Sequence, residues 1–127
     1  MRKTLIALAL AAIPGIALGG PPATGTTYTF YDPVFTGTVF CDTLSQVTEI
    51  ATAEDPNEVY LDYLQTINAQ NEPTCAVIIP TGVVVDVKPL GVMREDGQFF
   101  HAWAVETRVG DITGFALYLE QFQMVTA

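Results

Sequence analysis

Cys41 and Cys75 are the only cysteines in the chain, and both lie downstream of a segment with the features of an export signal. Met1-Arg2-Lys3 is a short basic head, and an apolar run from Thr4 to Leu18, broken by Pro14-Gly15, follows it. That run is about 15 residues, short of the roughly 20 that a bilayer-spanning helix needs. A basic head, a short apolar stretch and small residues behind it make a secretory signal peptide. Disulfides persist outside the reducing cytosol, so the two thiols are expected to pair. The competing reading, a redox-active pair, normally requires close spacing such as C-x-x-C. Joining Cys41 to Cys75 closes a loop of about 35 residues, which stabilises the fold by roughly 3–4 kcal/mol in the chain-entropy model. Small domains hold only about 5–10 kcal/mol in all, so this staple constrains every fold open to the chain.

Small residues at the −3 and −1 positions fit two cuts, after Ala17 or after Gly19. The second is preferred and leaves Gly20-Pro21-Pro22 as an extended start. No cysteine sits at either cut, so a lipoprotein anchor is not expected. No other segment is apolar enough to span a membrane. The expectation is therefore a secreted or periplasmic protein, with residues 1–19 as signal peptide, 20–35 as a flexible Gly/Pro/Thr-rich lead-in and 36–127 as one domain.

All fourteen acidic residues lie beyond residue 20, whereas Arg2 and Lys3 leave with the signal. Fourteen acids then face three bases, Lys88, Arg94 and Arg108, a formal charge of −11. Nucleic acid and anionic membrane surfaces both require a positive footprint and are not expected partners. A cationic partner is compatible, because such a field speeds its approach; the plainer reading of the charge is solubility.

Leu44, Val47, Ile50 and Ala51 fall at helical spacing, with Asp42 placed as N-cap. Glu54-Asp55-Pro56 ends that helix and starts a second, with Asp55 as N-cap, Pro56 at the first helical position and Glu58 closing a capping box. Its apolar stripe is Val59, Tyr60, Tyr63, Leu64 and Ile67, and Asn71-Glu72-Pro73 stops it. The two helices thus occupy about residues 42–71. After Cys75 the period becomes two: Val83, Val85 and Val87 alternate with Val84, Asp86 and Lys88. Asp96-Gly97 marks a hairpin between the Val92 strand and the strand from Phe99 to Arg108. Gly110-Asp111 marks a second turn, before a strand from Ile112 to Leu119. About five antiparallel strands are expected over 75–125, with Phe30–Phe40 as an optional edge strand. The predicted fold is α+β, a two-helix segment disulfide-linked to a small antiparallel barrel or rolled sheet.

Trp103-Ala104-Val105-Glu106, then Gly110, then Gly114-Phe115-Ala116 and Tyr118-Leu119 resemble the closing strands of bacterial SH3-like domains. Pro80-Thr81-Gly82-Val83-Val84-Val85 looks like the strand that enters the first long loop of that family. The likeness covers about residues 74–124; the family's early Val-Arg-Ser-type strand is absent, and two helices stand in its place. The resemblance implies a cell-wall-binding, peptide-binding or accessory module, with a groove at Trp103, Phe115 and Tyr118. Alternation along strands qualifies that groove. Phe99 and His101 share a face with Trp103 and Val105, whereas Phe115, Leu117 and Leu119 share one face and Ala116 and Tyr118 the other. On this ground Phe115 is the better core residue and Tyr118 the better exposed aromatic. Aromatics lining a groove are one way such modules hold extended peptides or sugars.

The catalytic inventory is thin. His101 is the one histidine and Ser45 the one serine, in a capping position of the first helix, so no Ser-His-Asp triad is expected. One histidine and a paired-off disulfide cannot make a zinc site. Glu54, Asp55, Asn57 and Glu58 cluster, but capping accounts for them and no calcium loop is present. No cofactor or metal is expected. A lone histidine on an apolar strand face reads as a core or rim residue, or as a pH-sensitive contact. The leading functional reading is an exported non-catalytic binding or accessory module that contacts a protein, peptide or cell-wall component through Trp103, Tyr118, Phe115 and His101. A basic exported protein and peptidoglycan are the partners named by charge and by resemblance. Two alternatives stand beside it. A small cell-wall hydrolase would use paired carboxylates such as Glu95-Asp96 or Glu106 and Asp111. A structural subunit of a surface assembly would pair through strand edges at Thr27–Tyr31 or Gln121–Val125.

Overall fold

The computed structural model describes residues 20–33, 35–68 and 70–122. The expected signal peptide and the Gln123–Val125 part of the expected edge lie outside these residues. Eight elements follow in order: β1 (Thr27–Thr29), β2 (Thr38–Cys41), α1 (Leu44–Thr52), α2 (Pro56–Gln65), β3 (Cys75–Ile78), β4 (Thr81–Glu95), β5 (Gln98–Val109) and β6 (Ile112–Phe122). The α+β class is as expected. All strands join one curled antiparallel half-barrel sheet in the order β1-β4-β5-β6-β2-β3.

Turn chemistry builds the centre of the sheet. Asp96 and Gly97 both have positive φ (52° and 74°), the geometry of a tight two-residue hairpin between β4 and β5. Gly110 (φ 65°) turns β5 into β6. β5 and β6 then pair without a register shift from Phe99–Phe122 to Val109–Ile112. β4 is less regular than its alternation suggests. Register shifts at Val84/Asp86 and Pro89/Gly91 break the period, so Val84 and Val87, three residues apart, pack in the same cluster. Pro89 cannot donate to a ladder, and it is tolerated because β1 pairs with β4 only at Thr81–Val83.

Both helices pack on one face. Val47, Ile50 and Ala51 of α1, spaced i, i+3, i+4, are buried against Val39, Cys41, Met93, Ala102, Ala104 and Leu117. Thr43, not Asp42, is the N-cap of α1. Its hydroxyl accepts from the Gln46 amide and its own amide donates to the Gln46 side chain, a complete capping box. Asp42 instead accepts from the Asn68 side chain. Asp55 caps α2 and Pro56 opens it, as the sequence implies. Of the expected stripe on α2, Val59, Tyr60 and Tyr63 pack on the core, whereas Leu64 and Ile67 are exposed. The helix ends at Gln65, and Ile67 lies in an isolated bridge to Pro73.

The Cys41–Cys75 disulfide is present. The two cysteines face each other across β2 and β3 and are fully buried. They close the base of the helical excursion by stapling adjacent strands. Three expectations change. The 20–35 stretch, expected as a flexible lead-in, carries β1 and Phe30, whose side chain is 1% exposed. Only Thr38–Cys41 of the Phe30–Phe40 stretch and its neighbour is strand, and it lies inside the sheet; the edges are β1 and β3. Residues 75–122 hold four strands rather than about five, because the Val83 and Val92 segments are one continuous strand, β4; β1 and β2 bring the sheet to six among the described residues.

Candidate functional site

The sheet face opposite the helices carries a row of rings. Tyr28 meets Phe30 edge-on at 4.7 Å and Tyr118 at 6.4 Å. Tyr118 meets Trp103 edge-on at 5.7 Å, and Trp103 lies 6.1 Å from His101. His101 stacks on Phe122 at 4.2 Å, and Phe122 lies 6.2 Å from Phe99. Arg94 ends the row, with its guanidinium carbon 6.0 Å from the centre of the Phe99 ring. Offset and edge-on arrangements are the favourable ones for aromatic pairs. The row follows from the regular β5–β6 register, which sets Trp103 opposite Tyr118, His101 opposite Glu120 and Phe99 opposite Phe122.

Phe30, Val84, Val105 and Ala116 form a small core beneath one end of this row, with Phe40, Val87, Trp103, Tyr28 and Tyr118 packed against it. Phe40 is seated by Gly114, because a side chain at Gly114 would collide with the Phe40 ring. Trp103, Tyr118 and His101 therefore come together as a set. Phe115 does not join them. It pairs with Cys41 and packs on the helix-side core, the face that strand alternation assigns it. Its place in the expected groove is taken by Tyr28, Phe30, Phe99 and Phe122. A signal for Tyr28 and Phe30 exists in their i, i+2 spacing, but it straddles the end of a three-residue strand too short to stand out.

A cleft of about 280 Å³ opens at the Tyr28–Tyr118 end. Its lining includes Tyr28, Phe30, Tyr31, Thr38, Leu117 and Tyr118, with Asp32 as its one charged residue. Its origin is a divergence of two strands. β2 pairs with β6 at Phe40–Ala116 and Cys41–Phe115 and no further. Continued, that register would pair Thr38 with Tyr118; instead both residues line the cleft. Burial holds the Tyr118 hydroxyl above its ordinary range, with Tyr28, Glu120 and Asp32 adding to the effect. Glu120, beside the row, accepts a 2.7 Å hydrogen bond from the Gly20 amide.

Carboxylates gather elsewhere. Asp55, Glu95 and Asp96 line a second hollow of about 410 Å³ with Phe35 and Asn57. Desolvation raises the Glu95 carboxyl above its ordinary value, and the neighbouring charges of Asp96 and Asp55 add to this. No group of three His, Cys, Asp or Glu side chains is placed to hold a metal among the described residues. None of the described helices is long and apolar enough to cross a membrane. The chain matches no protein-family model, no curated protein and no solved structure.

Proposed function

We propose that the chain is an exported, non-catalytic binding or accessory module that contacts a protein, peptide or cell-wall component through its aromatic sheet face and adjoining cleft. One observation carries this reading: a continuous row from Tyr28 to Phe99 on the face the helices leave uncovered, ending at an open cleft. Half-exposed aromatics offer a large contact area at low conformational cost and recur where extended ligands dock. The resemblance of about residues 74–124 to bacterial SH3-like modules points to the same class of function. Export agrees with the signal-like residues 1–19 and with the disulfide, which needs a non-reducing compartment. The charge favours a basic exported protein as partner.

The test is capture from the cell-envelope extract of the source organism with residues 20–127 as bait, at low and high salt, beside a Trp103→Ala bait. A basic protein held by the parent bait at low salt, released at high salt and lost from the variant supports the reading. Equal capture by both baits counts against it. The gathering of Asp55, Glu95 and Asp96 favours one second reading, a carboxylate-based cell-wall hydrolase. In that case the protein clears a peptidoglycan suspension and Glu95→Gln does not.

A further inference from the structure

Among the described residues, four strand edges of the sheet are open over part of their length, and three of them are blunted. β1 has three residues and β3 has four. The outer edge of β4 beyond its pairing with β1 carries Lys88, Pro89 and two register shifts. Short length, lysine, proline and bulges are the devices by which sheets avoid accepting another strand. The fourth edge has none of them. From Leu117 to Gln121, β6 keeps regular register with β5, contains no lysine, proline or bulge, and receives no pairing from β2. Leu117, Tyr118, Leu119 and Gln121 of this same edge form one wall of the cleft.

We infer that this edge of β6 accepts an extended cationic peptide segment as an added strand, seated in the cleft between β6 and the Phe30–Pro33 segment. The inference rests on the binding-module reading above and names its ligand class. Five residues of edge span about 16 Å at roughly 3.3 Å each, enough for about five residues of an extended peptide. Main-chain hydrogen bonds to β6 supply affinity, and alternate side chains reach the two sides of the edge. The lining mixes residues from both sheet faces, Tyr118 from the aromatic face and Leu117 and Leu119 from the helix side, as an opening at a strand edge requires.

Charge selects the class of peptide. Asp32 is the one charged lining residue, and no lysine or arginine occurs between residues 20 and 87 or in β6. The rings of Tyr28, Tyr31 and Tyr118 add faces that favour a cation. An acidic segment would make the same main-chain bonds but meet repulsion from Asp32 in place of attraction.

The probe is a seven-residue peptide of alternating lysine and valine, titrated against residues 20–127 with Trp103 fluorescence and backbone amide exchange as readouts. Two N-methylated versions accompany it, one modified on every lysine and one on every valine. An added strand uses the amides of one parity only. One methylated peptide is therefore expected to bind on the order of tenfold or more weakly and the other little changed. Amides within Leu117–Gln121 gain protection with the unmodified peptide. The alternating glutamate–valine peptide is expected to bind at least about tenfold more weakly. Absence of binding by the lysine–valine peptide, or equal binding by the glutamate–valine peptide, overturns the inference. Equal binding by both methylated peptides overturns strand addition, and envelope capture that still depends on Trp103 would show the binding-module reading surviving that failure. Preference for soluble glycan fragments over every peptide replaces the proposed ligand.

Discussion

Reduction of the Cys41–Cys75 disulfide is the perturbation whose magnitude follows most directly from the structure. The bond spans 34 residues. In the chain-entropy model that loop costs the unfolded state about 3.8 kcal/mol of freedom at 25 °C, all of it regained on reduction. The native state loses little beside it, because β2 and β3 stay paired from Thr38–Ile78 to Cys41–Cys75 and the two sulfurs stay packed in the helix-side core. For a domain of this size a loss of that order lowers Tm by roughly 15–30 °C. The assay is urea unfolding of the oxidised and phosphine-reduced protein, followed by Trp103 fluorescence. The reduced chain is expected to remain folded at 25 °C with an unchanged native spectrum and a lower midpoint. Its m-value should rise, because a denatured chain without the cross-link exposes more surface. A loss below about 1 kcal/mol, or an altered native spectrum, would refute the reasoning and place the effect of the bond in the folded state.

Further outcomes follow from particular contacts. Gly114→Ala sets a methyl group against the Phe40 ring and should cost about 1–3 kcal/mol in a thermal melt. Because burial raises the Glu95 carboxyl in the folded state above the ordinary glutamate value, folding loses stability as pH rises from that ordinary value through the folded one. Glu95→Gln removes that loss, so the variant should melt higher than the parent at pH 7 and alike at pH 3. The effect is small, since Glu95 is only partly buried. Signal cleavage after Gly19 would turn the Gly20 amide, 2.7 Å from Glu120, into a charged amine on a carboxylate. Intact-mass analysis of the exported protein should show Gly20 as first residue, with Glu120→Gln lowering Tm more at pH 6 than at pH 9.5.

Much of the architecture was legible because local chemistry decides it. Asp55-Pro56 can only open a helix well, Asp96-Gly97 and Gly110 turn where their φ values allow, and two buried cysteines had only each other as partner. Alternation along one strand separated Phe115 from Tyr118; its separation from Trp103 and His101 came with the β5–β6 register. What escaped the sequence is non-local. β1 exists because Thr27–Thr29 finds Thr81–Val83 more than fifty residues away. Its following residue, Phe30, is buried only because the curled sheet brings β4, β5 and β6 around it. The two bulges of β4 erase the simple alternation of its valines. The cleft is set by where β2 leaves β6, a property of two strands seventy-odd residues apart that neither encodes alone. The cap at Thr43 rather than Asp42 is a one-residue choice, settled by the reciprocal bonds with Gln46.

The central claim, that the partner meets the cleft and the aromatic face, is most directly tested by photo-cross-linking in the producing cell. Benzoylphenylalanine replaces Tyr31, which is 54% exposed at the cleft, or Ile112, which is 65% exposed at the far end of β6. A discrete adduct from position 31 and none from position 112 is the predicted result. Equal adducts from both positions, or an adduct from 112 alone, would contradict it.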